Sequence, residues 1–276
     1  MKKMKEIESL DEVKQIGLNG LVAFDNFCRE YKLKYSIAAG TMIGAVRHKG
    51  FIPWDDDVDL YMDRNEYDKL ILLVKEGKQL PDESFDIYLP ELKNYIYPFI
   101  KIVNNKTLVF EKNVNKKFAI GVWLDIFPLD NCGDSMAEAQ KIMHEMTCYS
   151  KKLMRTVTLY DGKNLEAYFK NIYVWVYKYI LRRNYHIYKH KKICFKFPEG
   201  GRYKGNLIWP WLEKGGLCDI YPAEYFDGYT EIEFEGRKFM IFSHYDEILQ
   251  KRYGDYMTLP KEKDRVGHEF HAYYLD

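Results

Sequence analysis

In the run Trp54-Asp55-Asp56-Asp57-Val58-Asp59-Leu60, four acids fall within five residues at the mouth of an apolar stretch. An extended chain turns alternate side chains to one face, so Asp57 and Asp59 point one way while Val58 and Leu60 point the other. At roughly 3.3 Å per residue their Cβ atoms stand about 6 to 7 Å apart, a gap that carboxylate arms close on one hard cation or use to bracket two. Without a cation the pair repels itself, and Asp55 and Asp56 add to the repulsion. A solvated acidic turn is the plainer reading of the same letters.

Further on, GVWLDIFPLD (121–130) carries Asp125 inside an otherwise apolar strand. An isolated buried carboxylate costs several kcal/mol unless a cation or hydrogen-bond donors compensate it, which makes Asp125 the natural third acid. Upstream, Gly40-Thr41 stands between a predicted strand and a predicted helix. Free N–H groups, a positive dipole end and the missing side chain of glycine suit such a place to a phosphate. Arg47, His48 and Lys49 follow just ahead of the acidic run, where they can hold phosphate oxygens; Arg47 neutralising an aspartate is the alternative. A Gly-Thr at a strand exit, Asp-x-Asp on a second strand and a lone Asp on a third describe metal-dependent phosphoryl or nucleotidyl transfer.

Several elements must position these residues. Leu10, Val13, Ile16, Leu21, Phe24 and Phe27 recur at helical spacing behind a Ser9–Glu12 capping box, although Gly17 and Gly20 weaken the pattern. Strands are predicted at 35–38, 58–62, 85–89, 97–103, 107–111 and 121–127. Helices are predicted from Gly40-Thr41, from Asp63 with Glu66 as cap to about Lys75, and from Ser135 with Glu138. The first 150 residues are therefore mixed α and β. From 164 to 192 the text turns helical, aromatic and basic, and Gly-, Trp- and Pro-rich loops follow. EIEFEGRKFMIF alternates about Glu235-Gly236 as a hairpin, and Ser243 caps a helix ending near Tyr253-Gly254. A soft boundary near 155 divides residues 1–155, a catalytic core, from 156–276, a helical and aromatic segment that completes the site.

The 276 residues make one large domain or two small ones, and 47% hydrophobic with 30% charged residues excludes a disordered or fibrous chain. A net charge of +1 removes the basic field of a nucleic-acid binder. The longest charge-free stretch, 35–46, is too short to span a bilayer, and acids follow the first lysines where a signal peptide needs apolar residues, so a cytoplasmic location is expected. Five scattered cysteines without a C-x-x-C pair suit neither a zinc finger nor a disulfide framework. Aromatics reach 16%, a surplus suited to partly wet surfaces that bind sugars, bases or quaternary amines.

The run GTMIGAVRHKGFIPWDDDVD resembles the signature of the LicD family, which includes the fukutin-type proteins. The likeness continues in YPFIKIVNNKTLV (97–109), in GVWLDIFPLD and in KRYGDYMTLPKEKDRVGHEF (251–270), while 156–228 match poorly. The resemblance implies an α+β nucleotidyltransferase-like fold, a mixed sheet flanked by helices with a helical, loop-rich C-terminal extension. It also implies an enzyme that moves phosphocholine from CDP-choline onto a cell-surface or lipid-linked glycan with release of CMP. By the same resemblance Asp57 and Asp59 would hold Mg²⁺ or Mn²⁺, Asp125 would be a further ligand or the base for the acceptor hydroxyl, and Asp55 would be an additional ligand. Gly40 and Thr41 would meet the donor's diphosphate, Arg47, Lys49 and Lys101 would neutralise it, and Arg265 and His268 would complete the phosphate site. His268 with His271 alone forms a weak zinc signal. A choline group calls for an aromatic cage, with Trp54, Trp123, Trp209, Trp211 and Tyr221 as candidates. The basic stretch with Arg182, Arg183, Lys189, Lys191 and Lys192 fits either a peripheral contact with the inner membrane surface or a helix packed on the core. Rival readings are a nucleotidyltransferase that leaves NMP on its product and a non-catalytic glycan-binding protein.

Overall fold

The computed structural model describes residues 4–93, 95–112, 114–155, 158, 165–180, 192, 200–208, 219–265, 267 and 270–275. Along them come β1 (Met4–Glu6), α1 (Leu10–Glu30), β2 (Ser36–Ile37), α2 (Ala39–His48), β3 (Asp59–Asp63), α3 (Arg64–Lys75), β4 (Phe85–Tyr88), β5 (Ile100–Asn104), β6 (Thr107–Glu111) and β7 (Trp123–Gly133). After these come α4 (Met136–Arg155), α5 (Leu165–Ile180), β8 (Tyr203–Gly205), β9 (Ile220–Pro222), β10 (Tyr229–Phe234), β11 (Arg237–Phe242), α6 (Tyr245–Tyr253) and β12 (Phe270–Leu275).

The central sheet runs β2-β3-β7-β5-β4, with β8 added to the far end of β7 and β9 to β8. Its pairings are antiparallel except β3 with β7, which are parallel. Apolar residues fill most of the strands at its centre, interrupted by Asp59 on β3, Lys101 on β5 and Asp125 on β7. Leu60, Ile100, Ile102, Leu124 and Ile126 are all fully buried. Helix α1 covers the sheet so closely that a Cβ at Gly20 would lie 2.5 Å from Leu124 Cδ1, so the glycine that weakens the helical pattern is there for packing. A second sheet, β1-β12-β6, joins the two ends of the described chain, and β10 and β11 form the hairpin about Glu235-Gly236. The architecture is α+β, a mixed sheet flanked by helices. Among the described residues, no helix is long and apolar enough to cross a membrane.

Local expectations held where local chemistry decides. Asp63 caps α3 by accepting from Asn65 N–H, and Ser135 and Glu138 bond each other's backbone N–H in a full capping box. The Ser9–Glu12 box does not form: Ser9 makes no side-chain cap bond, and Glu12 accepts instead from Tyr274 OH at 3.1 Å. A tertiary partner has taken the residue that a local rule assigned. The last helix is capped at His244 rather than Ser243. Strand β5 starts only at Ile100, whose N–H donates to Tyr67 OH at 2.8 Å; before it, Tyr95 OH donates to Phe99 O and Tyr97 OH to the Glu111 carboxylate. Strands β8, β9, β1 and β12 were not expected at all; each is short or lies where the alternation is weak. Residues 181–191 of the basic stretch, Trp209, Trp211 and His268 lie outside the described residues.

Candidate active site

Asp59 opens β3 and stands directly opposite Asp125 in the parallel ladder with β7. The pairing is locked from three sides. Asp59 N–H donates to Thr41 Oγ1 at 2.9 Å, Ala38 N–H donates to Asp59 O at 2.8 Å, and Asp125 N–H donates to Val58 O at 2.9 Å. Thr41, predicted to meet a phosphate, is therefore buried and positions the backbone of an acid. On the other side of β7, Lys101 is the ladder partner of Asp125, and its ammonium lies 2.6 Å from Asp125 Oδ1. One row across three strands thus reads Asp59, Asp125, Lys101.

Just before this row, the carboxylates of Asp55, Asp56 and Asp57 offer oxygens that all lie within 4.8 Å of one another. Asp56, which the sequence reading left out of the ligand set, belongs to this group. Glycine at position 40 follows from the same crowding. It is the second residue of α2, and a Cβ there would sit 2.4 Å from Asp55 Oδ2. The cradle expected for a phosphate is lined by a protein carboxylate.

The electrostatics follow from this geometry. Burial, and then the neighbouring charges of Asp59, Asp55, Asp125 and Asp56, push Asp57 well above the usual carboxylate range. Burial, then Asp125 and Asp55, push Asp59 up to about 7, with Arg252 and Lys101 opposing. Burial raises Asp125 too, against the pull of Lys101. At Asp59, burial and the neighbouring acids thus outweigh the pull of Arg252 and Lys101. An all-oxygen donor set crowded to this degree fits a hard divalent cation such as Mg²⁺ or Mn²⁺.

The predicted phosphate-side cations divide. Arg47, His48 and Lys49 stand at the C-terminal end of α2, about 12 Å along its axis from Gly40 at 1.5 Å per residue. There Arg47 donates to Tyr256 O at 2.6 Å and to His48 Nε2 at 2.9 Å, and burial lowers its proton affinity. Burial and then Arg47 lower that of His48. Lys49 is exposed in a left-handed cap. Arg265 donates to Pro260 O and lies 5.1 Å from the Trp54 ring centre. The tail then passes the acids, since a Cβ at Gly267 would lie 2.7 Å from Trp54 O and 3.6 Å from Asp56 Oδ2. Lys101, 2% exposed, sits with its ammonium 4.1 Å from the rings of both Tyr97 and Trp123 and 5.4 Å from Phe99. Of the aromatic candidates, Trp54 and Trp123 thus already face a protein cation, and Tyr221 is fully buried against Phe226.

Sequence reasoning missed Arg252. It is buried on α6, donates to Tyr61 OH at 3.0 Å, pairs with the fully buried Asp219, and is the main cation favouring ionised Asp59. Its signal was an arginine at helical spacing from Ile248 and Leu249, on the buried face.

Carboxylates on adjacent parallel strands beside a helix start suit phosphoryl or nucleotidyl transfer, the chemistry of the nucleotidyltransferase class. Comparison with known proteins agrees: the family described as LicD/FKTN/FKRP, nucleotidyltransferase domain, matches residues 32–154. The lipopolysaccharide cholinephosphotransferase LicD of Haemophilus influenzae is 32% identical over 282 residues, covering 99% of this chain and 100% of its own. Two uncharacterized proteins, of Rickettsia prowazekii and Rickettsia typhi, are each 61% identical over 28 residues, 10% of this chain and 10% and 9% of their own. The chain belongs to the LicD family and is a transferase.

Proposed function

We propose that this protein transfers phosphocholine from CDP-choline to a hydroxyl of a cell-surface glycan, lipopolysaccharide or another lipid-linked precursor, and releases CMP on the cytoplasmic side. The full-length likeness to a lipopolysaccharide cholinephosphotransferase supports the group moved and the kind of acceptor. The observation that carries the chemistry is the register that sets Asp59 beside Asp125, with Asp55, Asp56 and Asp57 crowded at the strand's mouth. A bound divalent cation would neutralise the donor's diphosphate and the charge that develops as it is displaced. Asp55, Asp56 and Asp57, whose oxygens lie within 4.8 Å of one another, would hold it, with Asp59 reaching in from the start of β3. Asp125 stands beside them, its carboxylate form favoured by Lys101 against burial, and takes the proton of the attacking acceptor hydroxyl or adds a further ligand. In the displacement the acceptor oxygen bonds to the choline-bearing phosphorus, the phosphoanhydride bond to CMP breaks, and CMP leaves with that bond's electron pair. The protein's part is to position and to neutralise.

The test follows the phosphates. CDP-choline labelled at the cytidine phosphate should give labelled CMP and an unlabelled phosphocholine-glycan, with turnover abolished by EDTA and restored by Mg²⁺. Label on the acceptor would make the protein a nucleotidyltransferase instead. CMP release from CDP-ribitol or CDP-glycerol but not from CDP-choline would overturn the choline assignment.

A further inference from the structure

Helix α5 is built the wrong way round for a helix that merely covers a core. At about 100° per residue, Leu165, Tyr168, Phe169, Ile172, Tyr173, Trp175 and Val176 fall in an arc of about 160°, and Val174 lies opposite its centre. All seven are exposed, Phe169 at 64% and Trp175 at 66%, whereas Val174 is buried at 8%. The helix lies against α4, and its apolar face is turned outward. Its flanking charges, Glu166 and Lys170, pair with each other at 2.5 Å. A contiguous aromatic and aliphatic face of this width is far beyond the scattered apolar residues of an ordinary surface and marks a site of contact.

The charge pattern says what the contact is with. From residue 167 to 198 the chain carries eight Lys and Arg and no Asp or Glu, although the whole chain balances to +1. An apolar face followed by an acid-free basic segment is complementary to a surface that is greasy within and anionic at its rim. We infer that the exposed face of α5 seats this protein on an anionic lipid leaflet, its aromatic side chains entering at the level of the headgroups. This deepens the proposed function by saying where a lipid-borne acceptor is met.

The full chain should co-sediment with vesicles of phosphatidylcholine mixed with phosphatidylglycerol, bind phosphatidylcholine alone far more weakly, and release from the mixed vesicles as salt is raised. Phe169→Glu combined with Trp175→Glu should lower binding to mixed vesicles at least about tenfold. CMP release with a water-soluble acceptor should stay at the wild-type rate, because neither residue belongs to the acid site. Equal binding to the two vesicle types, or binding unchanged by the double substitution, would overturn the inference. So would a dimer that the same substitutions split in the absence of lipid, since the face would then be a contact between copies. A lack of CMP release from CDP-choline beside intact vesicle binding would instead refute the donor assignment and leave the docking surface standing.

Discussion

Replacing Asp59 with Asn should stabilise the metal-free protein while abolishing transfer. Asp59 is 9% exposed, and its proton affinity rises from an ordinary 3.8 to about 7 on folding. An acid raised in this way contributes stability that is complete below its unfolded value and is lost as pH climbs through its folded value. Asparagine has the shape of the protonated carboxyl and never ionises. The stability difference between Asp59→Asn and wild type should therefore be near zero below about pH 4 and grow through pH 7. At about 1.4 kcal/mol for each factor of ten in proton affinity, the gap from 3.8 to about 7 is on the order of 4 kcal/mol by pH 8.5. For a chain of this size that is roughly 8 °C or more in Tm. Urea denaturation of both proteins in EDTA across this pH range measures it. Adding Mg²⁺ should close the gap by stabilising the wild type, because binding to the folded state adds to its stability. A gap that is absent at pH 8.5, or that shrinks as pH rises, refutes the claim that burial and acidic neighbours outweigh Arg252 and Lys101 at Asp59.

Three further outcomes follow from the same geometry. Thr41→Val removes the acceptor of the buried Asp59 N–H and should cost about 1–3 kcal/mol in urea denaturation, with Thr41→Ser restoring most of it. Gly40→Ala must displace Asp55 and should raise the Mg²⁺ concentration for half-maximal CMP release about tenfold while the fold, read by circular dichroism, persists. Lys101→Met strands the Asp125 charge and should cost about 3–5 kcal/mol; adding Asp125→Asn should recover a large part of that loss in a double-mutant cycle.

The acids were legible in the sequence because their cost is local: four carboxylates ahead of an apolar strand, and a fifth inside another, call for a counter-charge wherever the strands lie. That Asp59 meets Asp125 was legible only as an inference from shared chemistry, since a ladder register between strands separated by α3, β4, β5 and β6 leaves no mark in either segment. The roles of the flanking residues were harder. Thr41 and Gly40 were rightly placed at a strand exit, yet their immediate partners are the protein's own Asp59 and Asp55, a tertiary fact. Lys101 read as a free cation because nothing in YPFIKIV says that Asp125 is its neighbour on the next strand. Arg252 hid in a helix whose other letters are plain, and only its spacing from Ile248 and Leu249 betrays that it is inside. Ser9 and Glu12 show the converse, a local motif overruled by a contact with Tyr274.

The ladder between β3 and β7 also sets which changes of length the chain can absorb. A residue gained or lost in an outer turn, such as the one between α3 and β4, leaves both strands' inward faces intact and costs little more than loop entropy. The same change between 57 and 59, or between Trp123 and Asp125, would turn one carboxylate to the opposite side of the sheet, into the hydrocarbon interior beside Leu60 and Leu124. Family members that keep this chemistry should therefore differ in length almost everywhere except across these two three-residue intervals.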